Sequence, residues 1–196
     1  TIPVELAWKP KLSMFDGLPG EYKLGALYST AEAKDVKTTG KVHDGKQSFW
    51  LNAQQQLTQQ GADPKRGLYI SFNGVINDKA TTTVQSTQQI ALWYKGPLEN
   101  RPNDSVGFGL ANYVVNERVQ DRQIATNQSR GYDRYDAFSS DYTPIQRDEL
   151  NVELNYTYQW SPAVMLRPNL QYIHQPAGVK EVDDAWVAGL SMRVNF

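Results

Sequence analysis

The chain has 196 residues, 20 Lys and Arg against 21 Asp and Glu, a net charge of −1 and no Cys. That balance leaves no basic excess for nucleic acid, and the lack of Cys excludes a disulfide framework, thiol chemistry and a thiolate metal site. No apolar run approaches the ~18 residues of a membrane-spanning helix. A mean hydropathy of −0.58 still suits strands that turn only alternate residues to lipid. Opening on Thr1 and running straight into an apolar alternation, the sequence reads as a processed chain or a fragment.

A strand sends successive side chains to opposite faces, so alternation marks the elements. Residues 2–8 place Ile2, Val4, Leu6 and Trp8 on one face. Residues 9–20, with Pro10, Gly17, Pro19 and Gly20, form a connection. Residues 21–30 set Tyr22, Leu24, Ala26 and Tyr28 against Lys23, Gly25, Leu27 and Ser29. Residues 31–45 are polar, carry no period and read as a long loop. Residues 46–57 set Phe49, Leu51, Ala53 and Leu57 against Trp50, Asn52, Gln54 and Gln56, with Gln55 interrupting the apolar face. Residues 67–77 give Leu68, Ile70, Phe72, Gly74 and Ile76 opposite Tyr69, Ser71, Asn73, Val75 and Asn77. Residues 84–94 are weaker, with Ile90, Leu92 and Tyr94 opposite Gln89, Ala91 and Trp93.

After a connection with two Pro, residues 105–115 give Val106, Phe108, Leu110 and Val114 opposite Gly107, Gly109, Ala111 and Tyr113. Residues 117–146 form the longest stretch without a period, and a loop of that length carries function or covers something. Residues 148–160 are the clearest strand: Leu150, Val152, Leu154, Tyr156, Tyr158 and Trp160 against Asn151, Glu153, Asn155, Thr157 and Gln159. A tight turn at Ser161, Pro162 and Ala163 leads to residues 164–174, with Leu166, Pro168, Leu170 and Tyr172 opposite Arg167, Asn169 and Gln171. After a loop, residues 186–196 close the chain with Trp186, Ala188, Leu190, Met192, Val194 and Phe196 on one face. That span matches the ~9–11 residues with which a tilted strand crosses a bilayer.

About nine strands and no helix result, so the fold class is all-β, an antiparallel transmembrane β-barrel meander. Three features favour a membrane over a soluble sandwich. The polar faces carry Asn, Gln, Glu and Arg side by side, as on a wetted lumen. Aromatic residues sit at strand ends on the apolar face: Trp8, Tyr22, Tyr28, Tyr94, Tyr156, Tyr158, Trp160, Trp186 and Phe196. With the C-terminus placed on the periplasmic side, the longest connections, 31–45 and 117–146, both fall outside, and the tight Ser161 turn falls inside. The inner connections 9–20 and 95–104 are longer than that rule expects.

The segment LPGEYKLGALYSTA (residues 18–31), the pair of strands over 49–77 and the ending over 150–196 resemble the carbohydrate-selective outer-membrane porins of the OprB type. The resemblance implies a barrel of about sixteen strands in the outer membrane of a Gram-negative bacterium, with a narrowed, charged, aromatic-lined lumen. It implies passive diffusion of glucose and other small sugars, with ion transport through the same water-filled path. The chain is about half the family's length, and single-chain bacterial barrels have even strand counts. Residues 1–196 are therefore expected to be a single β-barrel domain, the C-terminal portion of a longer porin. The alternative is a small ten-stranded barrel with one strand hidden in the long loop. Bacterial barrels end on such a strand, which serves as an assembly signal, so Trp186, Leu190, Met192, Val194 and Phe196 are expected to be read by the barrel-assembly machinery.

A diffusion pore needs a wetted path and groups that replace a sugar's hydration, weakly enough for it to leave. The candidates are the polar-face residues Trp50, Asn52, Gln54, Asn73, Gln89, Trp93, Asn151, Glu153, Asn155, Arg167, Asn169, Gln171 and Arg193. Arg167 and Arg193 fall on adjacent strands, with Glu153 on the far side of the Arg167 strand. Charge there suits a lumen, because on the lipid face it costs ~2–4 kcal/mol at midplane. Trp50 and Trp93 stand out, since a Trp on a polar face needs a reason: sugar contact, or packing against an inward loop. Arg118, Arg122, Arg130 and Arg134, interleaved with Asp121, Asp133 and Asp136, suit a constriction, a grip on lipopolysaccharide or a subunit contact. Trimers are the habit of many large porins.

An enzyme is not expected. The two histidines, His43 and His174, fall in a predicted loop and at a strand end, and no nucleophile motif, phosphate loop, metal set or cofactor motif is present. Glu149 and Glu153 share a face at i and i+4, which wall carboxylates explain. The competing reading from another class is a soluble β-rich carbohydrate-binding module with Trp50 and Trp93 as its platform.

Overall fold

Each alternating stretch forms a strand, and strands adjacent in sequence are adjacent in space. The computed structural model describes residues 1–132, 136 and 139–195. Its strands are β1 (Ile2–Trp8), β2 (Gly20–Ser29), β3 (Ala33–Lys34), β4 (Val42–His43), β5 (Lys46–Gln56), β6 (Gly67–Asn77), β7 (Val84–Lys95), β8 (Ser105–Val115), β9 (Glu149–Gln159), β10 (Val164–His174) and β11 (Ala185–Val194). Nine of them make one antiparallel sheet in the order β1-β2-β5-β6-β7-β8-β9-β10-β11, while β3 and β4 form a separate small hairpin. The expected spans at 2–8, 67–77, 105–115 and 164–174 are matched, and the others move by one or two residues at an end.

Register carries one row of apolar-face residues across the whole sheet: Trp8, Tyr22, Ala53, Phe72, Ile90, Leu110, Val152, Tyr172 and Trp186 are paired in succession. The row starts at the end of β1 that carries the shorter connections and finishes at the opposite end of β11. Such a stagger is the shear of a barrel wall with tilted strands. Trp8 packs on Tyr22 at 5.6 Å near one rim, and Tyr172 on Trp186 at 5.1 Å near the other.

Nothing among the described residues covers this face. Leu6 is 72% exposed and Leu190 71%, and among the described residues the buried apolar side chains are Val36, Val115 and Val119 alone. A water-soluble domain must bury such a face under a second layer, and a patch spanning nine strands far exceeds what a monomer leaves wet. The closed ladder hydrogen bonds and the apolar outer face suit hydrocarbon.

Two expectations are corrected. Residues 117–146 hold a helix, α1 (Glu117–Ser129), where no helix and a long loop are expected. Its buried positions Val119, Gln123 and Asn127 recur every four residues, so the stripe is helical. Two of the three are amides, which an apolar period does not register. Gln123 exchanges hydrogen bonds with Gln146 (3.1 and 2.9 Å), and Asn127 with Thr143 (2.8 Å each). Asn116 caps the helix by accepting from the Arg118 N–H (3.0 Å), and Glu117 suits the first turn. The described part of this stretch adds no strand to the sheet, so the ten-stranded alternative finds no support there. Residues 31–45, read as a plain loop, contain the β3–β4 hairpin, which tucks Val36 against Val115 and Val119.

Candidate permeation wall

Paired residues of an antiparallel ladder share a face, so the registers place every polar-face candidate on the side opposite the apolar row. Lys23, Asn52, Asn73, Gln89, Ala111 and Asn151 are paired in succession from β2 to β9. Asn73 donates to Gln89 at 3.4 Å. Below them Glu21, Lys23, Asn52, Gln54, Asn73 and Gln89 edge a hollow of about 400 Å3. Glu21 takes Lys9 at 3.1 Å and Lys23 at 3.4 Å.

Trp50 lies across the neighbouring strand. A Cβ on Gly25 would come within 2.1 Å of the indole, so only glycine lets the ring lie there. The indole N–H then reaches Glu5, two strands away, at 2.7 Å. Trp93 instead stacks on Tyr69, with ring centres 5.3 Å apart and planes 7° from parallel. Intrachain partners therefore account for both Trp residues, and neither of those partners belongs to an inward loop. Glycines make room twice more: Asn155 lies over Gly107 and Asn169 over Gly189.

Glu153 is the hub of the other half of the wall. Its Oε1 accepts from Asn155 (2.8 Å) and Arg167 (3.1 Å), and its Oε2 from Asn169 (3.2 Å) and Gln171 (2.7 Å). The adjacency of Glu153 and Arg167 expected from the faces is thus a direct ion pair. Arg193 pairs in register with Met165 and makes no ion pair among the described residues. Glu149 accepts from Asn151 (2.9 Å) and from the Ala177 N–H (2.6 Å), so Glu149 and Glu153 serve separate donors. Gly25 and Gly107 escape a search for polar side chains, and Glu5 and Tyr69 are absent from the candidates; the signal for both glycines is a small residue register-paired with a large one.

The two rims are tied differently. At the rim of shorter connections, Gln55 donates to Leu18 O and Pro19 O, and buried Gln56 to Thr58 O and Pro64 O. Arg66 reaches Gly96 O at 2.9 Å. Arg101 then clasps Asp104 at 2.8 and 3.0 Å, donates to Gln159 O, and lies 4.1 Å above the Tyr158 ring. These bonds account for the length of connections 9–20 and 95–104: their residues close the rim edge to edge. Burial opposes the charge of Asp104, but Arg101, the Tyr156 hydroxyl and the Gln159 N–H outweigh it and hold the carboxyl below its usual range.

At the loop rim Asp35 accepts from His43 (2.7 Å), Arg118 (2.9 and 3.0 Å) and the N–H groups of Lys37 and Thr38 (2.8 Å each). His43 foremost, then the Thr38 N–H, pull its carboxyl far below the ordinary value. Lys37 pairs with Asp121 at 2.7 Å, so the 31–45 segment is latched to α1 at two points. Arg118 and Asp121 are thereby engaged within the chain. Arg130 donates to Asp141 O, and Arg122 remains exposed. Asp184 is held down to about 2 by the Tyr172 hydroxyl, His174 and the Gln175 N–H. Of the terminal strand, Trp186, Leu190, Met192 and Val194 project from the apolar face of the edge strand β11. Asp133, Arg134 and Phe196 lie outside the described residues.

Likenesses to known proteins agree with this wall. The chain is 80% identical over its whole length to "Putative porin QuiX" of Acinetobacter baylyi, and 44% identical to Porin B of Pseudomonas aeruginosa, covering 45% of each. It therefore spans about half the length of these relatives. The high-pH structure of Pseudomonas putida OprB superposes with a TM-score of 0.93 at 43% identity, over 99% of this chain and 48% of that one. The low-pH structure of the same protein matches with a TM-score of 0.65 at 32% identity, over 99% and 46%. The sequence pattern described as "Carbohydrate-selective porin, OprB family" matches residues 1–196. The one-layered sheet, apolar outside and polar inside, is a stretch of outer-membrane β-barrel, and the chain belongs to the OprB family of carbohydrate-selective porins.

Proposed function

We propose that these residues form part of the wall of a water-filled outer-membrane channel that passes glucose and other small sugars by diffusion, without catalysis. The observation that carries the proposal is the two-faced sheet: one face is mostly apolar and exposed, the other a file of amides, paired charges and aromatic rings. Amides and carboxylates replace the hydration of sugar hydroxyls, and wall partners already occupy much of their capacity, which keeps each contact weak. The free edges of β1 and β11 suit pairing with the strands of a larger closed barrel, in which this chain is the C-terminal portion. In that orientation the shorter connections face the periplasm, α1 faces outward, and the apolar face of β11 offers the assembly signal. Lipopolysaccharide beside the exposed Arg122 and a homotrimeric assembly are further partners of this reading.

The test is current across a planar bilayer holding a full-length porin that carries this chain. Stable channels dimmed by glucose are expected. A protein that stays monodisperse in buffer without detergent and opens no channels would overturn the proposal and favour a soluble carbohydrate-binding module.

A further inference from the structure

The apolar face carries a hollow of about 300 Å3, edged by Leu24, Phe49, Leu51, Phe72, Ile76 and Gln88. Gly74 is paired with Leu51 on one side and Gln88 on the other, and the edge of the Phe72 ring lies against it, so ring and glycine form the floor. Gly74 stands three residues from the loop-rim end of β6 and Gln88 four from that of β7, roughly 10–13 Å along strands that rise ~3.3 Å per residue. Beside the hollow, amides break the apolar face. Gln88 donates to the Ser86 hydroxyl at 2.7 Å, and Asn112, its register partner on β8, donates to Gln88 Oε1 at 3.2 Å. The Asn112 carbonyl oxygen accepts no hydrogen bond among the described residues. Ile76, paired with Ser86, is 61% exposed, so the network sits within the apolar band rather than beyond it. An amide turned to hydrocarbon is costly unless a partner completes its hydrogen bonds. At the loop rim Lys46 and Lys79 are exposed and make no ion pair among the described residues. Asp78 spends its Oδ1 on the Ala80 and Thr81 N–H groups, and Asp44 is the exposed carboxylate close to Lys46 in sequence.

We infer that this surface seats one acyl chain of an outer-leaflet lipopolysaccharide, held through its lipid A. The inference rests on the outward-facing loop rim of the proposed channel and not on the passage of sugar. Lipid A is an amphiphile with three tiers. Phosphates sit on its sugars, amide and ester links with nearby hydroxyls join the first acyl chains, and the chains follow. The protein offers matching groups. Lys46 and Lys79 at the rim attract the phosphates. Ser86, Gln88 and Asn112 lie at the level of the links, where an amide N–H or a hydroxyl serves the Asn112 oxygen and a carbonyl takes a spare amide N–H. The chain then fills the hollow against Phe49, Leu51 and Phe72. A glycerophospholipid has the phosphate and the chains, but at this depth its ester carbonyls only accept and leave the Asn112 oxygen unserved. The amides therefore select the lipid, and the hollow holds its chain.

The experiment is native mass spectrometry of a full-length porin carrying this chain, delipidated in detergent and titrated separately with lipid A and with phosphatidylglycerol. The readout is the half-saturating concentration of the first bound lipid, which does not depend on sugar passage and so separates this seat from the channel reading. The wild type is expected to favour lipid A. Gln88→Leu combined with Asn112→Leu is expected to raise the lipid A value by roughly 2- to 10-fold, the range one net hydrogen bond supplies, and to leave phosphatidylglycerol unchanged. Gly74→Val, whose Cβ drives the Phe72 ring into the hollow while leaving the amides in place, is also expected to raise the lipid A value and serves where the double variant fails to insert. An unchanged lipid A value in either variant overturns the seat. Equal binding of both lipids by the wild type means annular lipid only and overturns it. A preference for phosphatidylglycerol that the double variant abolishes overturns it by placing the loop rim in the inner leaflet. Porin oligomers in place of lipid adducts, dispersed by the double variant, overturn it in favour of a subunit contact.

Discussion

Replacing Asp104 with Asn tests whether the rim of shorter connections is fastened as the geometry indicates. Asp104 is 1% exposed and accepts four hydrogen bonds: two from Arg101, one from the Tyr156 hydroxyl at 2.6 Å and one from the Gln159 N–H at 2.9 Å. The amide removes the charge and turns two hydrogens toward groups that are themselves donors. Breaking a buried ion pair costs ~3–5 kcal/mol. The Arg101 side chain keeps 29% of its surface in water and can turn outward, which lowers the expectation to about 2–3 kcal/mol. The assay is denaturant unfolding of the reconstituted porin, followed by Trp fluorescence at pH 7, with Tyr156→Phe as the milder comparison at about 1 kcal/mol. The folded carboxyl is depressed, so its stabilisation is complete above the unfolded value, ~3.9, and is lost as pH falls through the folded one. The gap between wild type and Asp104→Asn should therefore be constant from pH 7 to 5 and narrow below about pH 4. Equal midpoints at pH 7, or a gap that narrows only above pH 5, would refute the argument.

Three further outcomes are expected. Arg193→Glu reverses a wall charge that holds no ion pair among the described residues, so reversal potentials in a salt gradient should shift toward cation selectivity; Arg167→Glu should shift them the same way while also destabilising the barrel against Glu153. No shift in either variant would remove both from the path. Asp35→Ala unlatches the 31–45 segment from α1, and hydrogen exchange there should rise at pH 7. In the wild type, where the Asp35 carboxyl is depressed, protection should persist from pH 7 to pH 5 and fall only below about pH 4; loss of protection near pH 6 would contradict this. Gly25→Ala places a Cβ where the indole of Trp50 lies, so the ring must leave Glu5, and single-channel conductance should change measurably. Conductance and Trp emission both unchanged would show that Trp50 does not rest on this strand.

The strands were legible because a wall between lipid and water imposes the simplest pattern a sequence can carry. Gly67–Asn77 alternates except at Gly74 and Val75, and its ends were placed correctly. The faces followed by parity, and with them the side of Arg167 that meets Glu153. Helix α1 was not legible, because its inward stripe buries amides that are satisfied by residues up to twenty-three positions away. Register was equally hidden. That Trp50 passes over Gly25, or that Glu153 gathers four donors, depends on which residue stands opposite which, and period-2 alternation leaves that open. The Asn116 cap before Glu117 was the one local sign of the helix, and it lies inside a polar run that resembles a loop.

The slanted register of the sheet has a consequence for anything that moves along it. The file of Lys23, Asn52, Asn73, Gln89, Ala111 and Asn151 starts near the rim of shorter connections in β2 and approaches the loop rim in β9. Its members therefore sit at successive depths rather than in a ring, with neighbouring strands about 4.8 Å apart. In the proposed channel a descending solute would meet them one after another around the circumference, as on a spiral stair. Ala111 interrupts the file between Gln89 and Asn151, so these wall contacts are offered at separate depths rather than together.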